Sequence, residues 1–229
     1  MPASLTLPDG RRLGLDATTA GRVRAGVVVL GGVVVREEPA VWAEIDTLAA
    51  AYREEFAGCL PSEIAPLGEA RRLYKSFGMD PSRHRPSSEA LLRRVLNHKG
   101  LYRLNNAVDT CNLASLAFLL PIGMYDLDRI VGDVVIRRGR PGEEYEGIRK
   151  GPVHLADRLG LFDTDGGFGS PTSDSARTAV GDTTTRILAV IMATGAYPAT
   201  RLESHADRFA SLFVRHCRAT GELTALLGD

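Results

Sequence analysis

Residues 104–130 read LNNAVDTCNLASLAFLLPIGMYDLDRI. Asn105 and Asn106, both turn-prone, open the stretch. An apolar run follows, with Asp109, Thr110 and Asn112 embedded in it. Pro121 and Gly123 break the run, and two carboxylates, Asp126 and Asp128, close it. A polar group inside an apolar run costs free energy when buried unless it is hydrogen-bonded. These side chains therefore either brace the backbone or line a pocket, and the sequence leaves both readings open. Leu113, Leu116 and Leu120 share one helical face, which predicts a helix over residues 112–120 that Pro121 ends.

Outward from this stretch the chain alternates between helical and strand patterns. On the N-terminal side, VRAGVVVLGGVVV (residues 23–35) is β-branched with a central Gly31-Gly32. It predicts a buried strand with a bend, or two short strands. Helices are predicted over residues 41–57, 69–77 and 87–99, from apolar positions at helical spacing and from the stop signals Gly58, Gly78 and Gly100. On the C-terminal side, strands are predicted over residues 131–138, 143–148, 152–155, 159–164 and 183–192. Residues 163–177, DTDGGFGSPTSDSAR, read as a glycine- and hydroxyl-rich loop whose Gly166–Gly169 backbone could form an anion nest. A final helix is predicted over residues 202–227.

The chain has 229 residues, 44% hydrophobic and 24% charged, with zero formal net charge. The length supports one substantial core. Charge is unevenly spread. Residues 36–69 hold eight acids and two bases, whereas residues 71–103 hold nine bases and two acids. The second block could meet phosphates or simply form a solvated face. Three widely separated cysteines, Cys59, Cys111 and Cys217, fit a reducing compartment, and the cytoplasm is the expected location. The histidines are scattered, so no metal is expected. No Gly-x-Ser-x-Gly elbow, dinucleotide fingerprint or phosphate-loop ending occurs. No apolar run is long enough to span a bilayer, so no membrane partner is expected. Cys111, with apolar neighbours and no adjacent histidine, reads as an inert thiol.

The segments NNAVDTCNL and LPIGMYDLDRI, at their mutual spacing, resemble the editing domain of the phenylalanyl-tRNA synthetase β subunit and free-standing proteins made of little more than that domain. The resemblance runs over residues 73–196. It implies an α+β fold with mixed β-sheets layered with helices (β/β/α). In that family a pocket holds the mischarged aminoacyl end of tRNA. It lies between a Thr-Asn pair, a histidine and an acid after a glycine-rich turn. The Asn falls on Asn112, the Thr on Cys111, the histidine on Gly123, and the acid on Asp174 after Thr172 and Ser173. Losing the imidazole removes a proton donor or acceptor and is expected to open space. RPSSEALLRR (residues 85–94) and FGSPTSDSART (residues 168–178) match the free-standing relatives better.

These observations predict one domain. Residues 1–67 form an extra strand and helix layer, residues 68–200 an editing-domain-like core, and residues 201–229 a C-terminal helix. The expected aminoacyl pocket comprises Asn105, Asn106, Asp109, Asn112, Gly123, Asp174, Ser175, Arg177 and Thr178. The expected RNA-binding face comprises Arg71, Arg72, Lys75, Arg83, Arg85, Arg93, Arg94 and Lys99. The resemblance implies an aminoacyl-tRNA-binding protein, with deacylation of mischarged tRNA in trans as the activity to test. No residue is assigned to catalysis, and no cofactor is expected. The other reading is a non-catalytic module for a free amino acid or small metabolite.

Overall fold

The computed structural model describes residues 1–148 and 151–228. Strands β1 (Ser4–Thr6), β2 (Arg12–Leu15) and β3 (Val23–Gly31) lead into helix α1 (Pro39–Glu55). Helices α2 (Gly68–Ser76), α3 (Ser87–Leu96) and α4 (Asn106–Phe118) follow. Next come β4 (Ile122–Asp126), β5 (Val134–Arg138), β6 (Glu144–Gly147) and β7 (Gly151–His154). Then come β8 (Leu159–Asp163), β9 (Gly166–Gly169) and β10 (Ile187–Thr194). Helix α5 (Ala199–Cys217) and strand β11 (Thr220–Leu227) close the fold.

The architecture is α+β in three layers. The middle layer is a four-stranded antiparallel sheet in the order β11-β3-β10-β4. β3 and β10 carry aliphatic residues on both faces because both faces are covered. On one face, Val28, Leu30, Ile122, Met124, Ile187 and Ile191 pack against α1, α4 and α5. On the other, Val27, Val29, Tyr125, Leu188 and Val190 meet Leu13, Ile136, Leu161 and Phe168 of a five-stranded sheet. That sheet runs β1-β2-β5-β8-β9 and is mixed, because β2 pairs parallel to β5. Each large aliphatic side chain buried between the layers contributes about 1.5–3 kcal/mol. β6 and β7 form a separate hairpin. No helix among the described residues is long and apolar enough to cross a membrane.

Three expectations are corrected. The N-terminal residues are not an added layer: β3 lies inside the middle sheet, and β1 and β2 complete the outer one. The C-terminal helix stops at Cys217, where Arg218 takes a left-handed φ of 56°, and the chain returns as β11 along β3. The helix in the central stretch also begins earlier than expected, at Asn106. Leu119, at φ 54°, ends it in the left-handed region, and Pro121 then leads into β4. β4 is an edge strand of the middle sheet. Its Ile122 and Met124 side chains line a cavity.

Candidate functional site

A cavity of about 290 Å³ opens beside β4. α3 contributes Ser87 and Leu91, and α4 contributes Val108, Cys111, Asn112 and Ser115. β4 contributes Ile122 and Met124, and the loop after β9 contributes Ser170, Thr172, Ser173 and Asp174. The lining combines apolar side chains with hydroxyls, an amide and a carboxylate, the usual composition of a small-molecule site. Asn112 and Asp174, far apart in sequence, share this cavity. Ser87 Oγ, on the first turn of α3, is buried without a hydrogen-bond partner.

The loop is held rigidly. Gly169 and Asp174 form an antiparallel bridge, and Ser170 N donates to Ser173 O at 3.1 Å. Ser87 N donates to Pro171 O at 3.2 Å, which ties α3 to the loop. The Tyr74 and Thr172 hydroxyls meet at 2.7 Å. Tyr145 donates to Ser173 O, and its hydroxyl lies 2.9 Å from Ser170 Oγ. The segments RPSSEALLRR and FGSPTSDSART thus meet in space.

Seven of the nine residues expected in the pocket lie outside its lining. Asn105 caps α4, its Oδ1 accepting from Val108 N at 2.9 Å. Asn106, fully buried, donates to Val34 O and His216 O at 2.8 and 2.9 Å and accepts from Arg36 N at 2.8 Å. Asp109 accepts from Trp42 Nε1 at 2.8 Å and Leu104 N at 3.2 Å. Burial raises its pKa against the lowering effect of those bonds. These three side chains brace the backbone. The Ser175 and Thr178 hydroxyls are buried against each other at 2.8 Å, inside the loop's base. Arg177 points to Asp163, with contacts of 2.8 and 2.9 Å. The expected anion nest is absent because Gly166–Gly169 is strand β9, paired with β8.

Gly123 is the remaining correction. It does not open space into the cavity. A Cβ built on it would fall on the Tyr125 hydroxyl and within 2.6 Å of Cζ. Tyr125, two residues along the same strand, lies over the glycine and fills the volume that a residue-123 side chain would need. The cavity also holds no thiolate. Burial, reinforced by the nearby Asp174 charge, pushes the Cys111 thiol far up. Among the described residues, no group of three or more His, Cys, Asp or Glu side chains is placed to hold a metal ion.

Residues 69–218 match the B3/4 domain. The chain belongs to the B3/4 domain family. Over 73 residues it is 36% identical to the phenylalanine–tRNA ligase β subunit of Bifidobacterium longum, a match covering 32% of this chain and 8% of the ligase subunit. Its fold is similar to the crystal structure of an N-terminal fragment of the phenylalanyl-tRNA synthetase β subunit from Pyrococcus horikoshii. That similarity has a TM-score of 0.50 at 12% identity and covers 95% of this chain and 54% of the fragment. This chain therefore corresponds to part of its relatives' length.

The basic block of this B3/4 domain is less free than its sequence suggests. Glu89, fully buried on α3, accepts from Arg71 at 2.8 Å and Arg93 at 2.9 Å, and Arg85 lies 4.0 Å away. Arg72 pairs with Glu69 at 2.8 Å, and Arg83 approaches Asp80 at 3.9 Å. Arg94 donates to Gly100 O and stacks on Tyr102. Lys75 and Lys99 are exposed. A second hollow of about 510 Å³ lies where α1 and α3 end, lined by Arg53, Arg93 and His98, but it includes none of the expected pocket residues.

Proposed function

We propose that this protein is an aminoacyl-tRNA-binding module whose cavity holds the aminoacyl group and presents its ester to water. The carrying observation is that Asn112 and Asp174 line one cavity together with apolar β4 and α4 side chains. The family membership supports the same reading. Asp174 would pair with the ligand's α-ammonium, Asn112 would supply an amide donor and acceptor, and Ser87 would donate to the acyl oxygen. Ile122, Met124 and Val108 would receive the side chain. An aminoacyl ester is intrinsically reactive, so orienting it and one water against fixed dipoles accelerates hydrolysis without a covalent intermediate. The Cys111 thiol, held protonated, is no nucleophile, which fits direct attack by water. Lys75, Lys99 and the outward arginines Arg72, Arg83 and Arg85 would receive the acceptor-stem phosphates.

The test is deacylation by the purified protein of tRNAs charged with each amino acid in turn. Release above the spontaneous rate for at least one charged tRNA is expected. Release at the spontaneous rate for all of them would remove the hydrolytic part. One observation favours a second reading, binding of a free amino acid without catalysis: no histidine is among the described residues lining the cavity. Thermal-shift stabilisation by a free amino acid, with no salt-sensitive tRNA binding, would select that reading.

A further inference from the structure

Tyr125 is fully buried on β4, and its phenol end is wedged between two glycines. A Cβ on Gly123 would fall on its hydroxyl, and so would a Cβ on Gly169, which also would lie within 2.5 Å of Cζ. The ring is fixed edge-on to Phe168, with centroids 4.9 Å apart. Strand β9 thus clamps it from one side and its own strand from the other. The hydroxyl Oη is buried and interacts with the Asp174 carboxylate at the edge of hydrogen-bond geometry. What lies near it is Asp174, held over Gly169 by the β-bridge and facing the cavity. The carboxylate charge, after burial, is the largest influence keeping the Tyr125 phenol protonated. Asp174 also acts on Cys111 from α4 and Tyr145 from β6, and burial with its charge holds both protonated.

We propose that Tyr125 is a positioning residue for Asp174: its clamped hydroxyl is a fixed donor beneath the carboxylate that faces the cavity, occupying the place a side chain at residue 123 would take. The two glycines exist on this view to admit the phenol, since any side chain at either position would displace it. The role rests on reading Asp174 as the anchor for the ligand's ammonium. A phenol donating to the carboxylate stabilises its ionised form, so Asp174 stays charged at lower pH and its orientation is restricted.

The test is the titration of Asp174 in the full chain without ligand, read by carbon NMR of labelled aspartate side chains and assigned with Asp174→Asn. Tyr125→Phe keeps the ring and removes the donor. The Asp174 midpoint is expected to rise by about one pH unit. Site-specific 3-fluorotyrosine at residue 125, a stronger donor of nearly the same shape, is expected to lower it. The fluorinated variant also serves if Tyr125→Phe folds poorly. A midpoint unmoved in the variants that fold would overturn the proposal. Because no ligand is present, this outcome is separate from whether the wild-type protein deacylates any tRNA.

Discussion

At the scale of single residues, the polar side chains of the central stretch divide cleanly by their partners. Asn112 faces the cavity, whereas Asn105, Asn106 and Asp109 are consumed by backbone and indole groups. Asn106 joins three chain segments through a fully buried amide. Asn106→Ala should therefore cost about 2–4 kcal/mol in denaturant unfolding, because it strands several buried backbone groups. Gly123→Ala should cost about 1–3 kcal/mol, because the Tyr125 ring is held from the far side by Gly169 and cannot yield. A Gly123→Ala protein as stable as wild type would show that the ring is not clamped. The sequence displayed Asn112 and Asp174 through their motifs. It could not display that Tyr125 covers Gly123, because that depends on the β4 backbone and on β9 arriving opposite. Nor could it separate bracing from lining, since the deciding partners Trp42, Val34 and His216 lie 67, 72 and 110 residues away.

At the scale of elements, long periodic segments were legible. α1, α3, β3 and β10 follow directly from apolar spacing and β-branched runs. β4 was hidden because Pro121 and Gly123 look like breakers, yet its Gly suits a strand over which an aromatic ring folds. β11 was read as helix because TGELTALL has good helix formers, and pairing with β3 overrides that preference. The α4–α5 contact carries a pH signature. His205 on α5 stacks on Phe118 of α4, with centroids 4.4 Å apart, and its Nε2 is 3.0 Å from the Tyr197 hydroxyl. Burial, then Arg201 and Arg208, pushes its pKa down to about 4. The folded state thus binds this proton more weakly than the unfolded chain. The associated stability is present above about pH 6.5 and is lost as pH falls towards 4. Melting temperatures across that range should fall more steeply for wild type than for His205→Phe. Identical slopes would contradict the assignment.

At the scale of the whole molecule, zero net charge conceals a divided surface, and the fold spends much of the basic block internally on Glu89 and Glu69. Binding to tRNA should accordingly be modest and salt-dependent. Lys75→Ala with Lys99→Ala should flatten the dependence of log affinity on log salt by up to about two units without changing the fold. The β/β/α layering was readable because the resemblance spans both halves of the central stretch. The cavity's composition was only half readable, because its lining comes from α3, α4, β4 and the loops after β9, with Ser87 and Val180 at the two ends of a stretch as long as a small domain. The central claim is that this cavity receives an aminoacyl group. Its most direct test is the affinity of the protein for charged tRNA against the same tRNA uncharged. Wild type should prefer a charged tRNA by at least about tenfold, and Asp174→Asn or Asn112→Ala should erase the preference while leaving affinity for uncharged tRNA unchanged. Equal affinity of the wild-type protein for charged and uncharged forms of every tRNA would contradict it.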